Sequence, residues 1–322
     1  MSELDYALER LHLCSFEYAN AQPNYAPMAA EALESLGHAA LISGLMDVYL
    51  PRLPALQEGQ PLRADEREAV RGQLDRASDW LASYEQALVG STWSGVLAEA
   101  FAQVGDGLAE TQLGLHALVR LGHAVRSLSR EDNPVRRREL ALALAYLAAG
   151  CQPSAKAREN DQPDPWVGRA QGIPAEDNAD VIGELHSAVC LDAAERYLAD
   201  AENRASLSAG VVVPGAFRFL IPHLPAPTRQ LVLVSMISRV RDSLPVQNPN
   251  RGAEVSEDCE VARCAESPSE IRYRAACSVH EHAIVMAEAC LREEALDPNA
   301  TLLRAAADAA LRLSPPGYQE WR

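Results

Sequence analysis

The residues best suited to chemistry lie in the stretch LGLHALVRLGHAVRSL, residues 113–128, which carries His116, Arg120 and His123 at i, i+4 and i+7. At 3.6 residues per turn the three project from one side of a helix. Leu115, Leu118, Leu121 and Val125 fill much of the remaining circumference, so most of this helix is expected to be buried. An imidazole can move a proton near neutral pH, and a guanidinium can hold a carboxylate or an enolate oxygen. Buried, each needs a partner: a carbonyl or carboxylate from elsewhere in the chain, or a ligand. The i, i+7 pair is separated by about 10.5 Å along the axis, which is awkward for direct chelation of one ion by both rings.

A second histidine cluster, His280-Glu281-His282, sits in the stretch CSVHEHAIVMAEACL. Read as continuous helix, residues two apart diverge by about 200°, so only one of the two rings can face inward. His282 shares a face with Val279, Val285 and Met286 and is the candidate for the interior. Glu31 and Glu288 lie in the apolar segments MAAEAL and MAEACL. A buried carboxylate needs a cation beside it, and Arg120 or Arg126 can serve. His12, His38, His186 and His223 are single histidines near expected helix ends or turns, read as structural.

These groups must be positioned by helices. Aromatic residues are only 5% of the 322, and alanine and leucine, both good helix formers, dominate. Helical periodicity runs almost throughout. Pro27 suits a first helical turn and Gly37 a stop; Asp65 is expected to cap a long helix through Leu88; Asn133-Pro134 is a helix start. Arg136, Arg137 and Arg138 fall in that first turn, where the macrodipole disfavours cations, and are read as a solvated face rather than as partners of a carboxylate. Ile271 to Glu294 reads as one helix, on which Cys277 and Cys290 are buried. The run Ser208–Gly215 is β-branched but too short and isolated for a sheet. Two long polar loops are expected, near 151–180 and 245–269. The expectation is an all-α protein of about a dozen helices in a single large domain, 1–322.

The formal net charge of −16 argues against nucleic acid and anionic membranes, both of which require a basic surface. No run of about 18 apolar residues suggests a membrane span, and the amino terminus MSELDYALERL does not read as a signal peptide. Seven cysteines without a CxxC pair read as reduced thiols of a cytoplasmic protein. No Walker loop, GxGxxG after a strand, HExxH or GxSxG is present.

Five segments carry a resemblance to the questin oxidase-like family, and together they span most of the chain: Asn24–Leu33 (NYAPMAAEAL), His116–Arg126 (HALVRLGHAVR), Asn133–Tyr146 (NPVRRRELALALAY), Ala216–Leu224 (AFRFLIPHL) and His282–Leu291 (HAIVMAEACL). The resemblance implies an all-helical oxidoreductase of secondary metabolism that oxygenates or oxidatively cleaves aromatic, polyketide-type molecules. It also implies, for some members, a non-haem iron held by several histidines and a modified lysine. His116, His123 and His282 match. Tyr25 stands at a histidine position, Val285 at the lysine position and Ala209 near a further histidine position, so the iron centre is expected to be impaired or absent. The expected site gathers His116, Arg120, His123 and Tyr25 as catalytic groups, with Met28, Glu31 and Met286 against the substrate. His282 is the expected metal ligand, with His116 or His123. The alternatives are a metal-free rearranging or cyclising enzyme, or a non-catalytic small-molecule-binding homologue.

Overall fold

The computed structural model describes residues 1–104, 111–152, 165–174, 179–243 and 267–313. These form fifteen α-helices and no strand, so the protein is all-α. The first six are α1 (Glu3–Leu11), α2 (Ala26–Ser35), α3 (Ile42–Tyr49), α4 (Arg67–Val70), α5 (Ala77–Leu88) and α6 (Trp93–Val104). The long α7 (Gln112–Arg130) and α8 (Pro134–Gly150) follow, then α9 (Pro165–Gln171), α10 (Ala179–Ala199) and α11 (Arg204–Phe217). The last four are α12 (Ala226–Ser243), α13 (Pro268–Cys277), α14 (Glu281–Leu296) and α15 (Ala300–Arg312).

Helices α7 and α8 form an antiparallel pair. Thr111 caps α7 by accepting from the Gly114 N–H and donates its hydroxyl to the last carbonyl of α8, Gly150. At the other end Arg136 of α8 donates to the Ser127 carbonyl of α7. Asn133 caps α8 with Pro134 at its first position, as the sequence predicts. Helix α11 crosses α7 so closely that a Cβ on Gly122 would fall 2.3 Å from the Ala216 carbonyl oxygen. Nothing larger than glycine fits that crossing.

The pairing of side chains shows that α2, α7 and α14 run parallel. Tyr25, Glu31 and Ser35 of α2 meet His116, His123 and Arg130 of α7 in that order. His282 and Glu288 of α14 meet Tyr25 and Arg126 in the same sense. One contiguous hydrophobic cluster fills the space between the helices.

Several sequence expectations change here. The helix expected from Asp65 to Leu88 is broken: α4 ends at Val70, Gly72 takes φ +76°, and a short 3-10 turn, Leu74–Arg76, precedes α5. The β-branched run 208–215 is buried helix within α11, with Pro214 inside it. That segment, Arg204–His223, is the one stretch among the described residues long and apolar enough by length and composition to cross a membrane. Two-thirds of it (67%) is buried inside the protein, which is what a core helix does. Arg136 is not on a solvated face: it is buried and donates to Asp5 of α1 at 2.9 Å. Cys277 is exposed at the end of α13, whereas Cys290 is buried. His186 lies inside α10, fully buried, rather than near a turn. The expected loops contain α9 in the first case and end at the start of α13 in the second; 153–164, 175–178 and 244–266 lie outside the described residues.

Candidate active site

The uninterrupted helix expected over 271–294 is two helices. Helix α13 ends at Cys277, Val279 takes φ +50°, and α14 starts at Glu281 with His280 as its extended N-cap residue. A left-handed conformation is costly for a β-branched residue. Its effect is to undo the 200° divergence, so His280 and His282 both turn inward, with ring centroids 5.8 Å apart.

The joint is held from beneath. The Glu281 N–H donates to the Tyr49 hydroxyl at 3.1 Å, and the Tyr18 hydroxyl donates to the Glu281 carboxylate at 2.9 Å. The Arg52 guanidinium lies 5.2 Å from the centroids of both phenol rings. Because this scaffold, rather than the Val279 side chain, sets the turn, Val279→Gly is expected to leave stability within about 1 kcal/mol of the parent. Relief of backbone strain offsets the extra freedom of glycine in the unfolded chain. A loss above about 2 kcal/mol in urea denaturation would mean that side-chain packing governs the joint.

Tyr25, the N-cap residue of α2, packs against two imidazoles. Its ring centroid lies 4.4 Å from that of His282 and 5.7 Å from that of His116. The described residues make no hydrogen bond to the Tyr25 hydroxyl or to the ring nitrogens of His116 and His282. None of these atoms is among the buried polar atoms left without a partner, so each reaches solvent. His116 and His282 keep part of their surface accessible, while Tyr25 is buried, 6% exposed.

Burial lowers the imidazoles, to about 4 for His116 and about 3 for His282, the latter also depressed by His280 and His116. Burial, then Arg52, lowers His280 to about 4. Burial and the Glu281 charge push the Tyr25 phenol up. Burial raises Glu281 to about 7 against the opposing Tyr18 hydrogen bond and Arg52. At neutral pH the cluster therefore presents uncharged imidazoles beside a protonated phenol. Tyr25 and His282 stand at the N-termini of α2 and α14, the positive ends of two macrodipoles, and His116 is in the second turn of α7.

The other expected site residues go elsewhere along α7. Arg120 is buried and donates through Nε and Nη2 to the two oxygens of Glu139, at 2.8 and 3.1 Å; His12 Nε2 lies 3.3 Å from the same carboxylate. Burial alone would raise Glu139, but Arg120 and His12 outweigh it and hold it at about 2. His123 Nδ1 is 2.7 Å from Glu31. Glu31 is also bound by Arg126 and Arg130, and Arg126 bridges on to Glu288. The cation for both buried glutamates is thus Arg126, not Arg120. Phe219 lies under the Arg126 and Arg292 guanidiniums, 4.4 and 4.5 Å away. Met28 lines a small cavity with Glu31 and His123, away from Tyr25. Met286 is fully buried one turn beyond His282, its sulfur 4.0 Å from that of Cys290.

His116 and His282 therefore share Tyr25, whereas Arg120 and His123 belong to ion pairs further along the helix. Residues 116, 123 and 282 are thus not gathered around one hollow: His123 lines the small cavity beside Glu31, apart from His116 and His282. Sequence reasoning missed Glu281, Tyr18, Tyr49 and Arg52. The available signal was the density of aromatic residues at Phe16, Tyr18 and Tyr25 in a chain with few.

The donor set does not fit the iron centre that the resemblance implies. Among the described residues no three His, Cys, Asp or Glu side chains are grouped to hold a metal ion. Val285 is buried in the core and offers no donor, and Tyr25 is held as the phenol. Metal sites need three or four placed ligands. No family model matches the chain, and no curated protein matches it either.

Proposed function

We propose that this chain is an enzyme of the questin oxidase-like kind, acting on an aromatic, polyketide-type small molecule through proton transfer at Tyr25, His116 and His282. The observation that carries the reading is the contrast along α7. Arg120 and His123 are consumed by carboxylates, whereas the polar atoms of Tyr25, His116 and His282 have no hydrogen-bond partner among the described residues, and the two imidazoles keep part of their surface accessible.

A bound phenol, enol or C–H next to a carbonyl passes its proton to an imidazole as the substrate's developing negative charge, held beside the ring, raises that ring above its resting value. The Tyr25 hydroxyl donates a hydrogen bond to the resulting oxyanion, and the helix N-termini of α2 and α14 favour the negative charge. The phenol and imidazole rings supply an aromatic wall for a planar substrate. Oxygenation of that anion by dioxygen is the outcome the resemblance suggests, with rearrangement or cyclisation the metal-free alternative, and neither is routed through a metal here.

The test is deuterium exchange into a hydroxyanthrone in D₂O, followed by NMR. The protein is expected to accelerate exchange over buffer, with the acceleration falling about 100-fold or more in His282→Ala, in the range of a lost general base. Tyr25→Phe is expected to retain binding but lose part of the rate. Exchange at the buffer rate with saturable binding would instead identify a small-molecule-binding homologue.

A further inference from the structure

The first N–H groups of an α-helix have no partner within the helix, and a serine, threonine or asparagine just ahead of it commonly accepts from one of them. Helices α1, α7, α8, α13 and α15 follow that pattern through Ser2, Thr111, Asn133, Ser267 and Asn299. Helix α14 does not. Its N-cap residue, His280, makes no side-chain bond to the helix. The Glu281 N–H is taken instead by the Tyr49 hydroxyl, 232 residues away in the chain. Tyr49 ends α3 and is fully buried, its ring beside Tyr18 and the Arg52 guanidinium. Its hydroxyl is therefore a fixed point in the core.

Residues 271–296 contain no glycine and no proline, so nothing in the local sequence demands the break at Val279. In a continuous helix the Glu281 N–H would bond the Cys277 carbonyl, and His280 would point about 200° away from His282. The break forfeits that bond and adds the strain of a left-handed valine. Locally the chain returns one bond, from the His280 N–H to Ser278 Oγ at 3.2 Å. The Tyr49 hydroxyl supplies the acceptor that the broken form lacks.

We propose that Tyr49 is a positioning residue for proton transfer at His282. Its hydroxyl selects the broken form of the 277–281 joint over the continuous helix, and so keeps the His282 ring packed on both His280 and Tyr25, at centroid distances of 5.8 and 4.4 Å. Tyr49 acts through the Glu281 backbone and not on the substrate. The kinetic consequence rests on the reading of Tyr25, His116 and His282 as the reacting cluster; the structural consequence rests on the joint alone.

The test pairs two readouts on the full chain: the nuclear Overhauser effect between the labelled rings of His280 and His282, and the rate of hydroxyanthrone exchange at saturation. Tyr49→Phe keeps the ring and removes the hydroxyl. It is expected to weaken the ring–ring effect and to slow exchange about tenfold with little change in Kd for the hydroxyanthrone, the population shift that one buried hydrogen bond commands. Adding Val279→Gly is expected to restore both, because glycine takes the left-handed turn without the strain that the hydroxyl offsets. A general loss of stability would not be reversed in this way. Parent-like ring contact in Tyr49→Phe overturns the proposal, and so does a loss that Val279→Gly fails to restore. A parent that shows the ring contact but exchanges at the buffer rate sinks the reading of the cluster as catalytic, and the ring contact in the two variants then decides the role of Tyr49.

Discussion

Arg126→Met is expected to destabilise the protein by about 3–5 kcal/mol, the range for removing one partner of a buried ion pair. The guanidinium is 7% exposed and is the common partner of Glu31 and Glu288, two carboxylates brought into the core by different helices. Burial alone pushes Glu31 up, yet Arg126 and His123 outweigh it and hold its carboxyl well below the usual range. Removing the arginine leaves His123 and a half-exposed Arg130 for Glu31, and Arg292 for Glu288. The cation–π contact with Phe219 goes with it. For a domain whose total stability is about 5–15 kcal/mol, this is a large share, visible as a drop in Tm or in the urea midpoint.

The charge, rather than the shape, is what the site requires. Glu31→Gln and Glu288→Gln added to Arg126→Met are therefore expected to recover a substantial part of the loss, because no uncompensated charge then remains buried. A single variant costing less than about 1 kcal/mol would show that the cluster is not the tie between α2, α7 and α14 described above.

The second large effect is expected with pH. His116, His280 and His282 are lowered to about 4, 4 and 3, each chiefly by burial, and burial followed by Arg218 and Arg292 drives His186 well below its ordinary value. A histidine whose folded pKa is depressed leaves stability untouched above the unfolded value near 6.5. It removes stability as the pH falls below that value, because only the unfolded chain then binds the proton. Glu281, raised to about 7, acts in the opposite sense: the folded state holds its proton first, so its contribution grows as the pH falls from about 7 towards 4.5.

Between pH 6.5 and 4.5 the unfolded chain thus takes up as many as four protons on these histidines, against one held by the folded state on Glu281. The net of three corresponds to at most about 4 kcal/mol per pH unit. Solvent screening at the partly exposed His116 and His282 reduces that figure. Acid unfolding is expected with a midpoint between about pH 4 and 5.5, above the range in which the paired carboxylates titrate. His186→Leu should flatten the profile by about 1.4 kcal/mol per unit and Glu281→Gln should steepen it. A stability flat from pH 7 to 4 in urea titrations at fixed pH would contradict the burial assigned to these rings.

Local chemistry was readable from the chain alone wherever a residue's effect stays within one or two turns. The alanine- and leucine-rich periodicity determined an all-helical fold. Asn133-Pro134 marked the start of α8, Pro27 that of α2, and the apolar positions of 113–128 the burial of α7. The need of Glu31 and Glu288 for a cation was also legible, because a carboxylate on an apolar face is costly without one.

What only the tertiary structure decided is which partner each group meets. His116, Arg120 and His123 share a helical face, and periodicity treats them alike. Their neighbours differ because α2, α8 and α14 pass that face at different heights. Tyr25 and His282 reach the first residue, Glu139 the second and Glu31 the third. The inward turn of both His280 and His282 rests on one left-handed residue, Val279, held by Tyr49, Tyr18 and Arg52 from distant parts of the chain. Valine favours extended or helical backbone on its own, so no local propensity announces that turn; long-range contacts impose it.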